Sequence, residues 1–258
     1  MSKRDFYLSK PLMNAAGALG FAPDHASRAA PVQQDFGAFV TNPLSLRPRR
    51  PAARPATIEF PGGFLLHSGL PNPGFEGALK RHAAKWARAD LPIIVHLMAD
   101  RPEETAHMVR RLEGLENVLA AELGFAPQLA DEIILVALEM SLSELPLIVS
   151  LPFEQTLRLG AQIVAMGAAA VSLAAPRGML PRSGGESGTG QREMLAGRLF
   201  GPALFPQALL TVRDAVRAGI PVIGGCGVYS QTDAAAMLEA GSLAVQVDTA
   251  LWRGDFGA

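Results

Sequence analysis

The sequence predicts an α/β fold, a single (β/α)8 TIM barrel spanning residues 1–258. Eight short apolar runs recur along the chain, and most are followed by a helical pattern. That alternation implies a parallel sheet covered on its outer face. The last two runs end in turns suited to an anion, as in barrels that hold a phosphate beyond strands seven and eight. A doubly wound open sheet would also alternate strand and helix, but the even spacing and the two adjacent phosphate-type turns disfavour it.

The first run, Pro11 to Ala16, ends in Asn14-Ala15-Ala16-Gly17. The second, Gly37 to Thr41, opens into an Arg/Pro-rich loop from Pro43 to Pro55 that reads as a stiff surface strap. The loop continues through Gly62-Gly63 to His67-Ser68-Gly69-Leu70-Pro71-Asn72-Pro73-Gly74. A helix from about Glu76 to Ala89 precedes strand three, Leu91 to Leu97. Glu103 and Glu104 suit the first turn of the next helix, where the helix dipole favours acids. Strand four is Val118 to Leu123, followed by a helix from Gln128 to Met140 and strand five, Leu145 to Leu151. A helix from Glu154 to Met166 leads into strand six, Ala168 to Leu173. Leu159 to Pro176 is uncharged for 18 residues. Gly160, Gln162 and Gly167 interrupt it, so a helix running into a buried strand explains it better than a membrane span.

Ala174 to Leu199, rich in Gly, Arg and Ser, reads as a long irregular segment of the kind that is functional or mobile. Its arginines, Arg177, Arg182 and Arg192, read as solvated loop charges or, in a loop over a barrel mouth, as groups suited to a small anionic substrate. After a helix from Phe205 to Ala218, the run Ile220-Pro221-Val222-Ile223 ends in Gly224-Gly225-Cys226-Gly227, where backbone N–H groups can approach an anion. Ser230 or Thr232, followed by Asp233, opens a helix that Ala240-Gly241 closes. The final run, Leu243 to Val247, ends in Asp248-Thr249. Gly225, Gly227 and Thr249 thus form a candidate phosphate cradle, with Asp248 expected to turn away towards an arginine or a helix terminus. Only six residues follow Trp252, so the eighth helix is expected to be incomplete. Apolar surface left uncovered there is a candidate interface, and a homo-oligomer is expected.

Apolar residues make up 49% of the chain and charged residues 18%, which supports a large core and excludes disorder. The net charge of -1 argues against nucleic-acid or anionic-membrane partners. The single cysteine excludes an internal disulfide, no Cys/His spacing suits a metal, and Cys226 reads as a buried inert thiol. The N-terminus lacks an apolar signal region, so a cytoplasmic location is expected.

Residues at strand C-termini face the site in a barrel. His96, Glu122, Ser150 and Ser172 lie there on strands three to six. His96 and Glu122 read either as an acid/base pair, the carboxylate fixing the imidazole tautomer, or as a satisfied core pair. Ser150 joins them as a catalytic candidate.

Five stretches, in order, resemble the dihydroorotate dehydrogenase family of FMN-dependent barrels. P-L-M-N-A-A-G-A-L-G (11–20) is similar to its first strand and turn, and G-A-F-V-T-N-P-L-S-L-R-P-R (37–49) to its second strand and loop. H-S-G-L-P-N-P-G (67–74) resembles its substrate loop, and G-R-L-F-G-P-A-L-F-P-Q-A-L (197–209) its sixth helix and the approach to it. P-V-I-G-G-C-G-V with A-V-Q-V-D-T-A-L-W resembles its FMN phosphate site. The resemblance implies FMN contacts at Ala15, Ala16, Gly17, Thr41, Gly201, Gly225, Gly227 and Thr249, and substrate contacts at His67, Ser68 and Asn72. The family's chemistry is less well matched. Ala126 falls where the family has a Cys or Ser base, and Asn42 and Ser150 stand at two family lysines. No lysine follows Lys85, and the asparagine expected near the end of strand six is absent from Ser172-Leu173-Ala174-Ala175.

Three functions therefore stay open. The first is an FMN-dependent oxidoreductase with a rewired substrate site. The others are a catalytically silent barrel serving as a binding or assembly subunit, and a flavin-free barrel enzyme acting on a phosphorylated metabolite.

Overall fold

A computed structural model describes residues 6–24, 30–126, 129–186, 192–253 and 256. Eight parallel strands close into a barrel in the order β1 (Leu12–Asn14), β2 (Phe36–Val40), β5 (Ile93–Met98), β6 (Val118–Gly124), β7 (Leu147–Leu151), β8 (Ala170–Leu173), β11 (Val222–Gly224) and β12 (Ala244–Val247). All eight predicted strands are present, each trimmed or shifted by a few residues. The outer layer comprises α1 (Ala30–Gln33), α2 (Phe75–Ala87), α3 (Pro102–Leu112), α4 (Asp131–Ser141), α5 (Phe153–Met166), α6 (Phe205–Arg217), α7 (Gln231–Glu239) and the short α8 (Ala250–Arg253). Gln128, the expected first residue of the fourth-strand helix, lies outside the described residues.

Alternation along the strands separates two cores. Met13, Val40, Ile94, Ala120, Ile148 and Ile223 fill the barrel interior. Their outward neighbours, among them Phe39, Val95, Leu123 and Val149, pack beneath the helices with Phe75 and Trp86. Local signals hold the helix ends. Ser230 caps α7 by accepting from the Asp233 N–H, and the Asp233 carboxylate accepts from the Ser230 N–H, so Ser230 and not Thr232 opens this helix. Gly167 closes α5 at φ 118°, a conformation that side chains rarely tolerate.

One expectation is overturned. The segment after β8 is not irregular: it forms β9 (Arg177–Glu186) and β10 (Arg192–Phe200). They join the hairpin β3 (Ala56–Phe60) and β4 (Gly63–His67) in a four-stranded antiparallel sheet of order β3-β4-β10-β9. The sheet is laid over the C-terminal mouth, since Leu66, His67, Arg177 and Arg198 line the same cavity as the barrel residues His96 and Thr249. Gly178 and Pro181 break the strand pattern in β9. Its ladder with β10 runs from Arg177 opposite Arg198 to Glu186 opposite Arg192.

Candidate functional site at the barrel mouth

Four inward positions at the strand ends are polar and meet at Glu122. His96 Nδ1 lies 2.6 Å from Glu122 Oε2, while the Ser172 hydroxyl (2.6 Å) and Gln246 Nε2 (2.7 Å) both donate to Oε1. Burial pushes the Glu122 carboxyl up, but the His96 hydrogen bond and charge, helped by Ser172 and Gln246, outweigh it and hold the group below the ordinary glutamate value. An ionised carboxylate only accepts, so His96 Nδ1 carries the proton shared with Glu122. Nε2 makes no hydrogen bond among the described residues, and the ring lines the cavity above. The His96 N–H donates to Thr41 Oγ1 at 3.1 Å, which anchors β5 to β2 at this level.

Above this layer is a cavity of about 340 Å³, walled by the barrel mouth and by the antiparallel sheet. Arg177 and Arg198 are cross-strand partners on that sheet, and both line the cavity. Among the described residues neither guanidinium has a hydrogen-bond or ion-pair partner. Burial and then the Arg177 charge lower the Arg198 pKa, partly offset by Cys226 and Glu122, yet a guanidinium stays charged. Arg182, by contrast, pairs with Glu193 at 3.8 Å, and the Arg192 side chain lies outside the described residues. Phe64, Phe200 and Trp252 form an aromatic corner, with ring centroids 5.6–6.3 Å apart. Phe200 and Trp252 line the cavity, and Trp252 Nε1 donates to the Ala18 carbonyl at 2.8 Å.

The strand tips of β11 and β12 are arranged differently from expectation. Asp248 is 5% exposed and does not turn away. Its carboxylate accepts from the Thr249 N–H and from the Thr249 hydroxyl at 3.1 Å. Burial raises its pKa, opposed by those Thr249 donors and by the N–H groups of Gly227 and Asp248 itself. The Thr249 hydroxyl also meets the Tyr229 hydroxyl at 2.6 Å. Cys226 sits between the two glycines at φ 70°, its buried thiol 3.6 Å from the Leu173 carbonyl. Burial, then the Asp248 charge, pushes that thiol well up, which keeps it an inert thiol.

The other sequence candidates divide sharply. His96, Glu122 and Ser150 come together in a deeper pocket of about 50 Å³, which Ala15 and Ala16 also line. Gly17, His67, Ser68 and Thr249 line the larger cavity. His67 Nδ1 lies 3.0 Å from the Ala196 carbonyl, and Ser68 Oγ accepts from the Leu70 N–H at 3.2 Å. Thr41, Gly201, Gly225, Gly227 and Asn72 line neither. A Cβ on Gly201 would lie 2.3 Å from the Gly62 carbonyl, and one on Gly227 2.6 Å from Phe205 N, so both glycines serve close backbone approach. Gly225 is packed against Gln246. Asn72 is engaged within its own loop. Its Oδ1 accepts from Ser45 and from the Gly74 N–H (3.0 Å), and its Nδ2 donates to the Leu70 carbonyl (3.1 Å) and Ser45 Oγ (3.0 Å). It holds the loop and has nothing left for a ligand. Neither Arg198, nor Gln246, nor the role of Asp248 is evident from sequence; a glutamine inside the apolar run Ala244–Val247 is the one available signal.

A closed parallel barrel with a polar layer at its C-terminal mouth defines the class to which this protein belongs, the (β/α)8 barrels that place their sites there. A profile described as dihydroorotate dehydrogenase matches residues 4–257, and the chain belongs to that family. It is 34% identical to the catalytic subunit of dihydroorotate dehydrogenase B (NAD(+)) of Pelobacter propionicus, covering 94% of this chain and 84% of that protein. The corresponding Pyrococcus horikoshii subunit is 28% identical, with 94% and 82% covered. Among solved structures, Eimeria tenella DHODH in complex with ferulenol superposes with a TM-score of 0.70 at 14% identity, covering 94% of this chain and 76% of that one. No helix among the described residues is long and apolar enough to cross a membrane.

Proposed function

We propose that the barrel mouth binds a small anionic molecule, with a carboxylate as the favoured group, and moves a proton on it through His96. The observation that carries this is the unpaired guanidinium couple. Like charges placed directly across a ladder are unfavourable, and an anion bound between Arg177 and Arg198 relieves that repulsion. Below it, Glu122 holds the imidazole so that Nε2 faces the ligand. Nε2 can accept a proton from the ligand, the imidazolium being balanced by Glu122, and can return it at the same or a neighbouring atom. No other reactant is consumed.

FMN is the cofactor that the family resemblance implies, and its hydride chemistry is the second reading, supported by family membership over residues 4–257. The strand tips do not fit its phosphate, because the Asp248 carboxylate already lies on the Thr249 amide and hydroxyl. The same obstacle faces a phosphorylated metabolite. A second copy of the chain, expected where the eighth helix stops short, would meet Trp252 of α8, which is 43% exposed.

The test is a titration of the purified chain with small carboxylates and phosphate esters, read by Trp252 fluorescence, together with its visible spectrum. Saturable quenching by a carboxylate in a colourless protein, with solvent deuterium entering that ligand, is the expected result. A yellow protein bleached by a reductant would replace it with the flavin reading.

A further inference from the structure

We infer that the Asp248 carboxyl group is the resident occupant of the strand-tip cradle, and that it excludes phosphate esters, FMN included, from that position. Barrels commonly hold a phosphate where the loops after the last two strands converge, using backbone N–H groups and a hydroxyl. Here those donors come from Thr249, whose N–H and hydroxyl both engage the Asp248 carboxylate. The Gly227 N–H, from the other strand tip, adds its pull on the same group. The Thr249 side of the cradle thus already closes on a carboxyl group the chain carries itself, one that is only 5% exposed.

Asp248 and Thr249 both line the large cavity, so a phosphate entering from the mouth would meet the carboxyl group at the donors it needs. Tyr229 takes the remaining side of the Thr249 hydroxyl at 2.6 Å. Behind Gly227, the Gly201 carbonyl and Phe205 N stand 3.0 and 2.6 Å from where a Cβ would be. An incoming phosphate would have to displace the carboxyl group from the Thr249 N–H and hydroxyl and leave it without those donors at a buried site. A glycine at 248 would supply the same backbone donors with no competing group. The inference does not depend on Arg198 or His96, so it stands or falls separately from the carboxylate reading of the mouth.

The experiment compares the full-length chain with Asp248→Gly, titrating FMN and riboflavin and reading flavin fluorescence. The unaltered chain is expected to show no preference for FMN over riboflavin, because the phosphate finds no site. Asp248→Gly is expected to bind FMN about tenfold to a hundredfold more tightly than riboflavin, the gain from charge-assisted hydrogen bonds to freed donors. Preference for FMN in the unaltered chain overturns the inference, as does a folded Asp248→Gly protein without the gain. If that variant does not fold, the amide resonances of Gly227 and Thr249 in the unaltered chain decide. They should not move with millimolar inorganic phosphate, and a saturable shift overturns the inference.

Discussion

The imidazole of His96 and the backbone of Gly124 are so close that a Cβ on Gly124 would lie 2.3 Å from Nε2. The nitrogen proposed to take the ligand's proton is therefore seated against a neighbouring strand that must have no side chain at this point. Gly124→Ala should force the ring off Glu122, at a cost of about 1–3 kcal/mol for overpacking. Thermal unfolding measures that cost. Loss of ligand deuteration without loss of ligand binding would place the damage at His96.

The buried Glu122 network makes stability depend on pH. Its folded-state pKa is lowered, so its contribution is present above the ordinary glutamate value and lost as pH falls through the depressed one. Asp248 acts in the opposite sense: its raised folded pKa gives a contribution present below the ordinary aspartate value and lost as pH rises through the raised one. Glu122→Gln should thus cost about 1–3 kcal/mol near neutral pH. That deficit should shrink in strong acid. Denaturant unfolding at several pH values tests this, and a deficit unchanged at acid pH would contradict the assigned charge.

Arg177 and Arg198 should differ in what they contribute. Arg198 lines both the large cavity and the deep pocket, whereas Arg177 lines only the former. Arg198→Met should weaken carboxylate binding about tenfold to a hundredfold, as expected for a lost charge-assisted hydrogen bond. Stability should hold or rise, because the substitution also removes the like-charge pair. Arg177→Met should cost less affinity. Equal binding by all three proteins would remove the anion site.

The barrel was legible because each strand needs only its own apolar run, and parallel strands buried on both faces carry that signal almost without interruption. His96 and Glu122 were legible for a related reason, since the last inward residue of a barrel strand faces the mouth. The covering sheet was not. β10 pairs with β4 through Arg198 opposite Leu66, a contact across more than a hundred residues that no local pattern records. Asp248 failed for a subtler reason. Gly227 and Thr249 announce donors, but which acceptor meets them depends on a side-chain rotation that only the folded geometry decides.

Asn72 offers the cleanest separation between a residue that shapes the mouth and one that touches a ligand. Its side chain ties Ser45 to Gly74 and Leu70, and its backbone exchanges hydrogen bonds with Arg49 at 2.9 and 3.1 Å, fastening the Arg/Pro strap to the substrate-type loop. It is 7% exposed and lines no part of the cavity, while its loop neighbours Ser68 and Leu70 do. Asn72→Ala leaves the buried Gly74 N–H without its acceptor, a change that costs about 1–3 kcal/mol. A direct ligand contact would instead lower affinity with little loss of stability. The expected result is a lower unfolding temperature with carboxylate affinity within about twofold of the unaltered chain. Losing a hydrogen bond to a charged ligand would instead weaken binding by about tenfold or more. A stable Asn72→Ala protein that no longer binds would return Asn72 to the ligand.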